Sequence, residues 1–88
     1  MRLLHLGLLV RDQGRSLRFY QAYFGFDTAS ARRYPDGTII VRDQEGFDLA
    51  LHQGDPTDQL PGFLHFGFRL PGAEAVRQLL GRMEADGV

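Results

Sequence analysis

Two imidazoles occupy matching slots of a repeated phrase. Residues 4–10 read LHLGLLV and residues 64–70 read LHFGFRL, so His5 and Gly7 recur sixty residues on as His65 and Gly67. Imidazole nitrogen is a good ligand for divalent ions of borderline softness, and two such groups converging on a cavity are the start of a metal site. On a strand, His5, Gly7 and Leu9 share one face, as do His65, Gly67 and Arg69. Leu4, Leu6, Leu8 and Val10, like Leu64, Phe66, Phe68 and Leu70, take the other face and are free to pack on a helix. Glycine beside each His leaves space for a ligand or a neighbouring backbone. Arg69 can meet an anionic group of a substrate in the cavity, or extend from a strand end into solvent. The bland reading of either His alone is a hydrogen-bonded structural residue, and the repetition in matching slots is what argues against it.

The elements that position these residues follow from periodicity. Leu3–Val10 has strand length, and Asp12 after it is a good helix N-cap. Ser16, Phe19, Tyr20 and Tyr23 then fall at i, i+3, i+4 and i+7, widened by Leu17 and Phe24, with Arg15, Arg18 and Gln21 opposite. This is an amphipathic helix that ends at Gly25. FDTASARRY, TIIVR and FDLALH read as three strands joined at Pro35-Asp36-Gly37 and at DQEG. In FDLALH, Phe47, Leu49 and Leu51 take one face, and Asp48, Ala50 and His52 take the other. QGDPTDQLPG is rich in structure breakers and marks an internal boundary. Beyond it the helical stripe returns, sixty residues later, as Val76, Leu79, Leu80 and Met83.

A strand, a helix and three strands, followed by a second strand and helix in the same phase, describe an α+β chain of paired βαβββ modules. The first module spans residues 1–53, a linker 54–62, and the second module begins at 63–88. The second module is expected to be incomplete, truncated after its first strand and helix. Composition narrows the function classes. A net charge of −1 with scattered Arg offers no footprint for nucleic acid, and no stretch is long enough to span a bilayer. The absence of cysteine excludes disulfides and thiolate metal sites and is compatible with cytoplasm, the expected location. The opening MRLLHLGLLV reads as a strand, because its apolar run is short and interrupted by His5.

These residues resemble the vicinal oxygen chelate superfamily, also called the glyoxalase/bleomycin-resistance/dioxygenase superfamily. The resemblance runs the length of the chain: H-x-x-L-x-V (His5, Leu8, Val10), V-x-D-x-x-x-S-x-x-F-Y (Val10, Asp12, Ser16, Phe19, Tyr20), F-G-F (Phe24–Phe26), FDLALH and the restart LHFGF. It implies that His5 and His65 are metal ligands from the first strands of the two modules. The fourth-strand ligand of the first module falls on Ala50, which cannot coordinate. Its counterpart in the second module would lie near position ~110, beyond Val88, by the same repeat. A carboxylate there would complete the two-His, one-carboxylate set of non-haem iron oxygenases.

The resemblance thus implies a divalent ion (Fe, Mn, Co, Ni or Zn) and a dioxygenase-like or glyoxalase/lyase-like enzyme acting on a small molecule with adjacent oxygens. The alternative is a metal-free protein of the bleomycin-resistance type that binds a drug or small hydrophobic molecule in the groove between modules. No individual catalytic residue is indicated. His52 is expected at the strand end or as a group supporting a ligand, Asp48 is expected to face water, and modules pairing edge to edge imply a homodimer.

Overall fold

The computed structural model describes residues 1–55 and 65–88. Along the chain run β1 (His5–Val10), α1 (Gln13–Phe24), β2 (Asp27–Arg33), β3 (Ile39–Arg42), β4 (Asp48–Gln53) and α2 (Ala73–Ala85). The first five elements form the βαβββ module that the sequence implies, with a four-stranded sheet in the order β1-β4-β3-β2. β2, β3 and β4 are an antiparallel meander, and β1 pairs in parallel with β4, Gly7 lying opposite Ala50. The linker expected over 54–62 lies, apart from Gly54 and Asp55, outside the described residues, as do Phe63 and Leu64.

Local chemistry sets each boundary. Asp12 caps α1, its Oδ1 accepting from the Arg15 amide at 3.0 Å, and Gly25 closes the helix at φ 74°. The left-handed turn at Gly25 swings Phe26 into the core, where it is 2% exposed. Both hairpins use the same device, three loop residues closed by a glycine at positive φ. Tyr34 and Thr38 flank one loop and Asp43 and Phe47 the other, with Gly37 at φ 89° and Gly46 at φ 85°. This is the type I turn with a left-handed third residue that suits three-residue hairpin loops.

Alternation does the rest. Phe26, Ile39, Val41, Leu49 and Leu51 are buried on one side of the sheet, joined by Leu6, Leu8 and Val10 from β1 and Leu17, Tyr20 and Phe24 from α1. At about 1.5–3 kcal/mol per large apolar side chain buried, this side carries the hydrophobic drive for the module. A polar side chain is enclosed with it. The Gln13 amide nitrogen donates to the carbonyls of Gly37 (2.7 Å) and Leu51 (2.8 Å), tying the start of α1 to the first hairpin loop and to β4. On the other side of the sheet Arg42 and Asp48 sit opposite each other in the second hairpin, with Nε to Oδ1 at 2.8 Å and Nη2 to Oδ2 at 3.1 Å.

The second module begins differently from expectation. Residues 65–70 form no strand. Phe68 stacks on Phe24 of α1 at 4.3 Å between ring centroids and meets Tyr20 and Phe26 edge-on or tilted. The reason lies in the ladder. Among the described residues β1 is held by β4 of its own module, and no further strand lies beside residues 65–70. The Phe68 ring instead gains burial on the aromatic end of α1. α2 forms as expected, but its stripe stays open, with Val76 51% and Leu80 54% exposed. Its last turn meets α1 through polar contacts: Tyr23 Oη donates to Asp86 Oδ2 (2.6 Å) and Arg82 Nη2 to the Ala22 carbonyl (2.8 Å).

Two predictions follow from this packing. Gln13→Ala leaves two carbonyls without their donor and should lower stability by about 1–3 kcal/mol. Gln13→Glu, which cannot donate at neutral pH, should cost at least as much. A fall in urea midpoint at unchanged slope reads either effect. The second concerns acid. The hydrogen bonds from Arg42 hold the Asp48 carboxyl below its ordinary value of 3.8, helped by the Arg42 and His5 charges. A carboxyl depressed in the folded state stabilises above its unfolded pKa, and that contribution is lost as pH falls through the folded value. In Arg42→Ala the Asp48 titration, followed by carboxyl NMR, should move up toward 3.8, and unfolding should depend less steeply on pH below that point.

Candidate functional site

The face of the sheet turned away from α1 carries His5, Arg42, Asp48 and His52. Parallel pairing of β1 with β4 sets His5 beside Asp48, Gly7 beside Ala50 and Leu9 beside His52. β3 continues two of these rows, with Ile40 opposite Ala50 and Arg42 opposite Asp48, and Arg32 of β2 follows Ile40. The centre of this open face is therefore a row of small and apolar residues, Gly7, Ala50 and Ile40. A polar row flanks it at one end through His5, Asp48 and Arg42, and His52 with Thr38 flanks the other. β2 is irregular between Asp27 and Arg32, and Ser30 fills the gap, its Oγ accepting from the Arg42 amide at 2.9 Å and donating to the Asp27 carbonyl at 2.6 Å. That holds the backbone under Arg42.

His5 is exposed on this face, on the side opposite Leu6 and Leu8, as its place in the alternation requires. Ala50 is 2% exposed, enclosed between Gly7 and Ile40, so the fourth-strand position offers a methyl group and no donor. Asp48 does not simply face water: both of its carboxylate oxygens accept from Arg42. His52 does more than end the strand. Its Nδ1 lies 3.1 Å from Thr38 Oγ1, and its Nε2 reaches back over Gly7, 3.3 Å from where a Cβ would stand. The space that glycine leaves on β1 is thus taken up by an imidazole.

Thr38 is itself buried and tied to Asp36, whose Oδ1 accepts from the Thr38 amide at 2.9 Å. The Thr38 amide, the Thr38 hydroxyl and the nearby His52 all favour the ionised Asp36 carboxylate and hold its pKa below the ordinary value. Asp36, Thr38 and Arg42 carry no motif of their own. Their roles emerge only once the hairpin loops fix which residues face one another.

His65 and Arg69 lie in a different setting. Their segment packs through Phe68 on the α1 side of the sheet, the side opposite His5. There a cavity of about 600 Å³ opens between Leu4, Leu6, Phe24, Phe47 and Phe68, and Arg69 is part of its lining. Among the described residues no group of three or more His, Cys, Asp or Glu gathers in a way that could hold a metal ion. The donor set fits such an ion only in part: the open face supplies imidazoles from His5 and His52 but no uncommitted carboxylate. No helix among the described residues is long and apolar enough to cross a membrane.

Comparison with known proteins agrees with this architecture. The family model of the Glyoxalase/Bleomycin resistance protein/Dioxygenase superfamily matches residues 2–88. Among solved structures, a possible glyoxalase from Bacillus cereus is similar over 99% of this chain and 75% of its own, with 31% identity and a TM-score of 0.80. No curated protein matches. With the βαβββ sheet, its open histidine face and a match over almost every residue, the chain belongs to the Glyoxalase/Bleomycin resistance protein/Dioxygenase superfamily.

Proposed function

We propose that the protein is a divalent-metal-dependent enzyme, dioxygenase-like or glyoxalase/lyase-like, acting on a small molecule with adjacent oxygens at the open face of the sheet. The observation that carries this reading is the exposed imidazole of His5 beside Gly7 on that face, with the same His-x-Gly spacing at His65. His5 and His65 would hold the ion, with iron, manganese, cobalt, nickel or zinc preferred over calcium because imidazole is a borderline nitrogen donor. A bound ion would polarise the substrate's paired oxygens as a Lewis acid. The chain's own residues orient the substrate: the half-buried Ile40 gives an apolar surface beside His5 and His52, and the Arg42–Asp48 pair sets a fixed dipole at its edge.

Bringing His65 to this face requires a second module or a second copy of the chain, and a homodimer paired edge to edge is part of the proposal. β1 and β2 are the outer strands of the sheet, which gives such pairing its ladder. A second reading, a metal-free protein that binds a drug or small hydrophobic molecule, is favoured by Ala50, which removes the expected fourth-strand donor. In both readings the partner is a small molecule.

The test is metal binding by the purified chain after chelation and reloading. About one zinc, cobalt or nickel ion per site is expected by calorimetry and elemental analysis. His5→Ala should weaken binding at least tenfold, and His65→Ala should do so wherever sedimentation reports a dimer. Absence of binding by any of the three ions would move the metal-free reading into first place.

A further inference from the structure

We propose that His52 is the second imidazole of a metal site built within the first module, with Nε2 as the donor atom and Thr38 as the residue that positions it. The proposal rests on the reading of the open face as a metal-binding face, and it adds to that reading a ligand from a strand position two residues beyond the one the family resemblance picks out.

Three observations carry it. His52 is on the same face as His5, because the β1–β4 register keeps His5, Gly7 and Leu9 in line with Asp48, Ala50 and His52. His52 is exposed, yet its ring lies back along the strand, with Nε2 3.3 Å from the Cβ position of Gly7. Gly7 and His5 are two residues apart on β1, a step of roughly 6–7 Å. From opposite ends of that step, two imidazoles can share an ion at about 2.0–2.1 Å from each nitrogen. Any side chain larger than hydrogen at position 7 would press on the ring, so the glycine is what lets His52 lean toward His5.

The third observation concerns the tautomer. Thr38 Oγ1 lies 3.1 Å from His52 Nδ1, and the Thr38 amide donates to Asp36 Oδ1. A hydroxyl oxygen can accept from an Nδ1–H of His52, and Nε2 then carries the unshared pair over Gly7. Metal-binding histidines are oriented in this manner, their second nitrogen donating to an oxygen that holds the ring. With Ala50 silent and Asp48 committed to Arg42, His5 and His52 would leave the remaining coordination positions to water, to substrate oxygens or to a ligand from a second module.

Cobalt(II) added to the chain tests this directly. The ring protons of both His5 and His52 should show paramagnetic shifts, and His52→Ala should weaken cobalt and zinc binding at least tenfold by calorimetry while leaving far-UV circular dichroism unchanged. Long-range proton–nitrogen spectra without metal should show His52 protonated at Nδ1 and bare at Nε2. Thr38→Val should lose that tautomer preference and weaken binding about tenfold, and Thr38→Ser should restore both. If cobalt shifts His5 but not His52, and His52→Ala binds as the wild type does, the assignment of His52 is wrong while the metal reading of the face stands. If the unaltered chain binds no cobalt and no zinc, both fall together.

Discussion

The parallel pairing of β1 with β4 is the contact on which the rest of the molecule depends. Two strands that run the same way cannot be joined by a tight turn, so the chain between them must travel around the sheet. Here it does so through α1 and the β2–β3 hairpin. The register of that pairing sets Leu6 beside Leu49 and Leu8 beside Leu51 on the side α1 covers, and Gly7 beside Ala50 on the side it does not. A slip of one residue would exchange the two faces of β1, burying His5 and exposing its leucines. Core and site are therefore fixed by one choice of register, and Gln13 reinforces it by binding the Leu51 carbonyl from the first turn of α1.

Much of this was legible in the sequence because it depends on short-range rules. The cap at Asp12, the left-handed exit at Gly25 and the two glycine-closed hairpin loops are local signals, and each lies where its residue type predicts. The division of FDLALH into Leu49 and Leu51 against Ala50 and His52 follows from strand alternation alone. The Arg42–Asp48 pair was within reach as well, since a three-residue loop between Asp43 and Phe47 places the next residue on each side opposite the other. It has no sequence motif, however, and shows itself only when the loop type is used to count register.

What the sequence hid depends on contacts between distant segments. Gln13 looks like any polar residue in a first helical turn, and its burial comes from a hairpin loop and a strand that close over it. LHFGFRL has the composition of a strand, and alternation assigns it one. A strand also needs a ladder partner, and the aromatic ring of Phe68 carries enough apolar surface to find another resting place on α1, with Phe66 edge-on to it. Repetition in a sequence therefore predicts intrinsic preference better than it predicts docking. The stripe of α2 makes the same point: the helix forms on its own periodicity, yet Val76 and Leu80 remain exposed because a helix does not supply the surface that its apolar face requires.

The glycine of the repeated His-x-Gly phrase illustrates how one position can serve both folding and chemistry. In sequence it reads as space left for a ligand. In the first module a protein side chain uses that space, because His52 folds back over Gly7 while Thr38 holds its other nitrogen. A Cβ at position 7 would stand 3.3 Å from Nε2 and require the ring to shift by a few tenths of an ångström, even though the backbone at Gly7 has no positive φ that demands glycine. The constraint is one of side-chain clearance. It links residues on β1, β4 and the loop before β3, so the open face of this module is organised by a relay from Asp36 through Thr38 to His52 that ends above β1, on the same face as His5.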